Sequence, residues 1–129
     1  MAAIQRLQHA SVPMPPDGHE AARRFYGGAL GLEEVRPPAS LMTSMRLVWF
    51  RAGSDGHEIH CFAEERMDAT CAAQHVCLQV DDLDAFRQRL EEHDVSVEEA
   101  VAIPNRPRIF IRDPFGNGIE LTQITGEYS

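Results

Sequence analysis

Apolar and polar residues alternate in short segments that occur twice along the chain, in similar order. Such alternation is typical of β-strands with one buried face. The segment LQHASV at 7–12 is echoed by AQHVCLQV at 73–80, and in both an apolar residue follows the histidine by three positions. This internal repeat indicates two related modules, which we place at about residues 4–64 and 73–125 of a single domain spanning 1–129.

A helix signal follows each repeat. In the first half, Asp17 and Glu20 have the spacing of a capping box with Asp17 as the N-cap, and apolar residues recur at helical spacing up to Leu30. In the second half, Asp81 or Asp82 should cap a helix. The apolar stripe of that second helix consists of Leu83, Phe86 and Leu90.

Extended segments follow each predicted helix, so each half should have the order β-α-β-β-β. The first half contains RLVWFRAG and EIHCFAE, and the second contains RIFIR, a DPFGNG turn and IELTQI. The second strand of each half, before RLVWF and before RIFIR, is the least defined. It should lie within PPASLMT in the first half and within VSVEEAVAIPN in the second.

Strand parity places a set of polar side chains on one face. Ile119 and Leu121 share the face that should pack against helices, and the same reasoning applies to the apolar residues of the other strands. His9 is equivalent in the repeat to His75, and His60 to Glu120. If the two modules enclose a common cavity, four side chains on the opposite face could converge there: His9, His60, His75 and Glu120.

Imidazole and carboxylate groups together suit a divalent transition metal, Fe, Mn, Ni, Co or Zn, rather than calcium. These residues do not form a known short sequence motif. Metal ligands on separate strands need no fixed spacing along the chain. Each histidine taken singly could also be an ordinary residue on a half-exposed face. The equivalent positions of His9 and His75, with Glu120 on the matching face, favour a ligand set.

The composition and net charge of the chain indicate which classes of molecule it can bind. The chain has 129 residues, 43% of them hydrophobic and 25% charged, with a net charge of −8. This acidic balance argues against nucleic acid and anionic membranes as partners. Cys61, Cys71 and Cys77 are an odd number without framework spacing, and the first residues show no signal-peptide pattern, so we expect reduced thiols in a cytoplasmic protein.

The motifs FYGGALGLEEV at 25–35 and DPFGNGIEL at 113–121, with a histidine on the first strand of each module, resemble the vicinal oxygen chelate superfamily. That superfamily includes glyoxalase I, extradiol dioxygenases, fosfomycin-resistance enzymes and bleomycin-resistance proteins. The resemblance extends from Leu7 to Ile124. It implies an α+β fold in which two βαβββ modules form a cupped mixed sheet, with helices on the outer face, around a small-molecule site.

The resemblance also implies site residues. Metal-dependent members take one ligand from the first strand of each module and a carboxylate from the last strand of the second, which match His9, His75 and Glu120. A fourth ligand position, often Glu in glyoxalase I, matches His60. The histidine departs from that pattern, so His60 could instead be a wall residue that hydrogen-bonds a ligand. Many members are homodimers, some by exchanging modules.

The sequence leaves three functions open. The first is a metal-dependent enzyme that chelates vicinal oxygens of a small substrate, with Glu120 as proton acceptor in glyoxalase-type isomerisation, or with Fe(II) in extradiol-type ring cleavage. The alternative is a non-catalytic binding protein of the bleomycin-resistance kind. A module whose cavity is vestigial is a third possibility.

Substrate contacts are predicted on two further strands. Trp49 and Phe50 have opposite parity, so only one of them can face the cavity, and we select Trp49. Arg108 and Phe110 share a face with Arg112 and could contact an anionic or planar substrate. The same face could equally be a solvated edge.

Overall fold

The computed structural model describes residues 1–42, 46–67 and 73–127, without the side chain of Met42. Cys71 lies outside the described residues, so the structure does not test the prediction that its thiol is reduced. In the described part of the chain, no helix reaches the length and hydropathy needed to cross a membrane.

The two modules follow one another along the chain. The first comprises β1 (His9–Met14), α1 (His19–Ala22), which continues as a π-helical segment (Arg23–Ala29), β2 (Glu33–Val35), α2 (Ala39–Met42), β3 (Leu47–Arg51) and β4 (Glu58–Ala63). The second comprises β5 (His75–Val80), α3 (Leu83–Glu92), β6 (Glu98–Glu99), β7 (Arg108–Arg112) and β8 (Gly118–Gln123).

Each module has its own four-stranded mixed sheet. The strand orders are β1-β4-β3-β2 and β5-β8-β7-β6. The first strand of each module runs parallel to the last, and the other pairs are antiparallel. The α+β class and the two βαβββ modules predicted from the repeat are therefore confirmed.

Two local predictions are wrong. The first helix begins one residue later than a cap at Asp17 would require, because Gly18 is the N-cap and its backbone N–H closes a turn onto Pro15. Within PPASLMT, Ala39–Met42 forms α2, and the extra strand of the first module lies earlier, at Glu33–Val35. In the second module Asp82 does cap α3, since its carboxylate accepts from the Ala85 N–H at 3.1 Å.

Burial follows the predicted parity in both sheets. The fully buried face of the first sheet includes Val48 and Ile59, and that of the second includes Ile109, Ile119 and Leu121. These residues belong to one hydrophobic cluster that also contains the apolar faces of the helices. We call the opposite face of each sheet its site face.

A buried polar contact joins the two modules. The Tyr26 hydroxyl donates to Asp113 Oδ2 at 2.7 Å, and these side chains are 0% and 5% exposed. Burial, followed by the charge of Asp113, raises the pKa of Tyr26 well above its ordinary value, so the phenol stays a donor. A carboxylate removed from water must be satisfied by hydrogen bonds, and this one has several more.

The remaining donors to Asp113 fold the turn that precedes β8. The backbone N–H groups of Phe115 and Asn117 donate to Oδ1 at 2.9 and 2.8 Å. The Asn117 amide donates to Oδ2 and also to the Pro13 carbonyl of β1, at 2.8 and 2.9 Å. The DPFGN turn is therefore fixed to the first module just before β8 begins.

Replacing Tyr26 with phenylalanine removes this donor and keeps the aromatic ring. We expect the free energy of unfolding to fall by about 1.5–3 kcal/mol, the range for a hydrogen bond to a charged group. Urea denaturation followed by circular dichroism measures the loss.

An Asp113→Asn background provides the control. Its neutral acceptor makes a weaker bond to Tyr26, so adding Tyr26→Phe there should cost only about 0.5–1.5 kcal/mol. Equal costs in the two backgrounds would show that Tyr26 does not act through the charge of Asp113.

Candidate functional site

The site face of the second sheet carries a connected group of polar residues. Glu120 lies in the centre of β8, opposite Cys77 on β5 and Phe110 on β7. The residue is only 8% exposed. The side chains around it, which we call the carboxylate set, are His75, Cys77, Arg108, Phe110 and Thr122.

His75 has the orientation of a metal-ligating histidine. Its Nδ1 lies 2.8 Å from the Ala73 carbonyl, which can only accept, so Nδ1 carries the proton. In the neutral ring, Nε2 then presents a lone pair, and it lies 3.1 Å from Glu120 Oε1. Two acceptor atoms so close repel each other unless a proton or a cation lies beside both. Such a backbone bond on the other nitrogen is common in metal-bound histidines.

Glu120 is held ionised by its neighbours. Burial opposes ionisation, but a hydrogen bond from Thr122 and the charge of Arg108 outweigh it, so the pKa of Glu120 lies below its ordinary value. The Thr122 hydroxyl donates to Oε2 at 2.5 Å, and Arg108 NH1 lies 3.4 Å from Oε1. The carboxylate is thus available as an acceptor or a ligand around neutral pH.

Arg108 is held in place on β7. Its Nε and NH2 donate to the Val101 carbonyl at 3.3 and 2.9 Å, and its guanidinium lies 5.4 Å from the Phe110 ring centre. The Phe110 ring in turn meets His75 edge to face at 5.1 Å. Two of the three residues predicted as substrate contacts, Arg108 and Phe110, therefore belong to the carboxylate set.

A cleft of about 270 Å³ opens beside His75 and Phe110. Gly118 lines it, and a Cβ at that position would lie 2.8 Å from the Gln74 carbonyl oxygen. Only glycine fits there without a shift of the backbone, so the start of β8 can pair closely with β5.

The site face of the first sheet carries a second group. His9 Nδ1 lies 2.7 Å from the Gln8 side-chain oxygen, which accepts, so in the neutral ring Nε2 presents a lone pair, as in a neutral His75. His9 is exposed on the terminal strand β1. This matching tautomer supports the equivalence that the repeat predicts for His9 and His75.

His60 differs from the other two histidines. Its ring is stacked between His9 and Trp49, with ring centres 4.1 and 3.6 Å away. Its Nε2 lies 2.9 Å from Glu58 Oε1. Burial, the largest influence, lowers the pKa of His60, and the His60 hydrogen bond lowers that of Glu58.

The stack limits what His60 can do. A metal ion lies in the plane of each imidazole that binds it, about 2.0–2.1 Å from nitrogen. The rings of His9 and His60 are only 21° from parallel and 4.1 Å apart, so their planes do not meet at that distance. In this arrangement the two rings cannot both bind one ion. Within the described chain, Trp49 Nε1 is buried and has no hydrogen-bond partner.

The structure thus brings the four predicted ligands together as two pairs, one on each sheet. Among residues 1–42, 46–67 and 73–127, no group of three or more His, Cys, Asp or Glu side chains is close enough to hold a metal ion. The pair of His75 and Glu120 fits a metal by itself: two atoms that each lie about 2.1 Å from one ion at right angles are about 3 Å apart.

Between the two sheets lies an apolar groove of about 590 Å³. It is bordered by β1 and β5, the terminal strands of their sheets. Val76 and Leu78 of β5 lie on the core face but are only half-buried. We call this the inter-module groove, and its apolar lining includes Leu30, Leu32, Ile59, Val76, Leu78 and Phe86.

Sequence reasoning missed several members of these groups. Cys77 and Thr122 share strand parity with His75 and Glu120, so parity alone could have identified them. Glu58, which binds His60, has the same parity on β4. The Val101 carbonyl that holds Arg108 comes from an irregular segment, and no sequence signal points to it.

A family model describes most of the chain. The model of the Glyoxalase/Bleomycin resistance protein/Dioxygenase superfamily matches residues 6–121. No sufficiently similar sequence was found among curated proteins.

Solved structures agree with the family match. A protein assigned to the glyoxalase family from Bacillus anthracis is 31% identical, with 96% of this chain and 98% of that chain covered and a TM-score of 0.86. Lactoylglutathione lyase from Agrobacterium tumefaciens is 25% identical over 95% and 96% of the two chains, with a TM-score of 0.70.

A more distant structure shares the fold alone. The fosfomycin resistance protein FosX from Listeria monocytogenes is 15% identical over 94% of both chains, with a TM-score of 0.74. Together with the paired βαβββ modules, the match over residues 6–121 shows that the chain belongs to the Glyoxalase/Bleomycin resistance protein/Dioxygenase superfamily.

Proposed function

We propose that the protein is a metal-dependent enzyme of glyoxalase or dioxygenase type that acts on a small molecule with adjacent oxygen atoms. The observation that carries the proposal is the pairing of His75 with Glu120. His75 Nε2 lies 3.1 Å from Glu120 Oε1 while Nδ1 is bonded to the Ala73 carbonyl, so with a neutral ring the two atoms present a nitrogen lone pair and a carboxylate oxygen to one cation.

His9, His75 and Glu120 would hold the divalent metal, and the metal would polarise the substrate oxygens as a Lewis acid. His60 is proposed as a wall residue in place of a fourth ligand. Arg108 would bind an anionic group of the substrate, and Phe110 and Trp49 would pack against its planar part. Glu120, kept ionised by Thr122 and Arg108, is the proton acceptor on the site face of the second sheet.

The ligand set is completed in this proposal by a second copy of the chain. Each chain carries His9 on one sheet and the His75 and Glu120 pair on the other, and within the described residues these form no joint cluster. A homodimer would place the first module of one copy opposite the second module of the other. The inter-module groove, with half-buried Val76 and Leu78, is the surface that the second copy would cover.

Metal binding should stabilise the folded protein. If Co(II) or Zn(II) binds only the native state, stability rises by about 2.7 kcal/mol at a hundredfold excess over the dissociation constant. The His75→Ala/Glu120→Ala variant should lose this gain, which calorimetry in a metal titration measures.

A His19→Ala/Glu99→Ala variant is the matched control, since it removes the same residue types away from both site faces. It should keep the full stabilisation by metal. An unchanged melting temperature of the wild-type protein across Fe(II), Mn(II), Ni(II), Co(II) and Zn(II) would refute the metal-dependent function.

Mixing two defective variants tests whether the site is shared between copies. His9→Ala and Glu120→Ala should each fail to bind metal tightly. After unfolding and refolding together, mixed dimers should regain one intact site each, roughly a quarter of the wild-type number of sites per chain for random pairing. Equilibrium dialysis with Zn(II) counts the sites, and no recovery would place the whole set within one chain.

A metal-free binding protein is the second candidate. It is favoured by the Arg108 guanidinium, which lies 3.4 Å from Glu120 Oε1 and already neutralises the carboxylate. In that case the site faces would bind a ligand through stacking and hydrogen bonds, and the titration above would show no effect of any metal.

A further inference from the structure

The Glu120 oxygen that faces His75 also forms an ion pair with Arg108. Glu120 Oε1 lies 3.1 Å from His75 Nε2 and 3.4 Å from Arg108 NH1. The atom best placed to bind a metal is therefore the same atom that pairs with the arginine. The other oxygen, Oε2, accepts from Thr122.

The Arg108 side chain is held at this position by its own contacts. Two of its N–H groups are held by the Val101 carbonyl, and the guanidinium packs on the Phe110 ring. Its side chain is only 17% exposed, so solvent weakens its field less than at an open surface. The positive charge is thus held near Oε1 whether or not another cation is bound.

The first module provides an internal comparison. His60 pairs with Trp49 across the first sheet, as Glu120 pairs with Phe110 across the second. By the same register, the position equivalent to Arg108 is Leu47, which lies opposite Phe62. In the second module, Arg108 lies next to the carboxylate of Glu120. In the first module, the equivalent positions hold an apolar residue, Leu47, and a histidine, His60.

We propose that Arg108 is the resident counter-ion of Glu120 and sets the metal affinity of the site by competing with the metal for Oε1. This inference rests on the proposed metal-dependent function. A divalent ion at about 2 Å from Oε1 would share one oxygen with a fixed guanidinium, and two cations so close repel each other. Arg108 keeps Glu120 ionised and satisfied in the metal-free protein, and it makes metal binding weaker and more readily reversible.

The test is the Co(II) affinity of the full-length Arg108→Gln variant, measured by isothermal titration calorimetry. We expect Arg108→Gln to bind Co(II) about 10- to 100-fold more tightly than the wild type, because it removes the repulsion between two neighbouring cations. Arg108→Lys keeps the charge and should bind within a few-fold of the wild type. Arg108→Leu, which introduces the residue of the first module, repeats the neutral substitution with a different side chain in case Arg108→Gln folds poorly.

Arg51→Gln is the matched control. It removes the same charge from an exposed pair with Glu33 on the first sheet and should leave Co(II) affinity unchanged. The sign of the effect separates the proposal from a structural role, because an arginine that merely supports the site would lower the affinity when removed.

The failures of the two proposals differ. If neither the wild type nor the neutral variants bind Co(II), both the metal-dependent function and the competition by Arg108 are refuted. If the wild type binds Co(II) and the neutral variants bind it equally or more weakly, only the competition is refuted. Tighter binding by the neutral variants than by the wild type supports the competition.

Discussion

The arrangement of both site faces depends on the buried hydrogen bond between Tyr26 and Asp113. An ionised side chain that is almost free of water can persist there only because each oxygen is satisfied. The same carboxylate folds the 113–117 turn, and Asn117 ties that turn to β1. A shift of one residue would reverse the faces of β8, so a turn fixed in this way supports the register in which Glu120 lies on the site face.

Much of the fold was accessible from the sequence, because alternation of apolar and polar residues is a local property that burial enforces. It placed Ile119 and Leu121 in the core and Glu120 opposite them, as the structure has them. The repeat identified equivalent strands, and the motifs at 25–35 and 113–121 identified the family. The β7 segment was predicted with its observed limits, Arg108–Arg112.

Other features depend on contacts that a linear pattern does not contain. The first helix starts from a backbone turn at Gly18, although the side chains suggested a cap at Asp17. Parity assigns a residue to a face but does not say which faces meet, so it could not reveal that the ligands form two pairs. The stacking of His60 between His9 and Trp49 depends on the distance between neighbouring strands and on the size of an indole.

The link from Asn117 to Pro13 has a consequence for a protein that completes its sites with a second copy. His9 and Glu120 of one chain would then belong to two different sites, and Asn117 connects the strands that carry them. Any ligand that moves β1 at one site would act through this amide on β8 at the other. The turn would then be the physical path for communication between the two sites, with cooperativity as its observable effect.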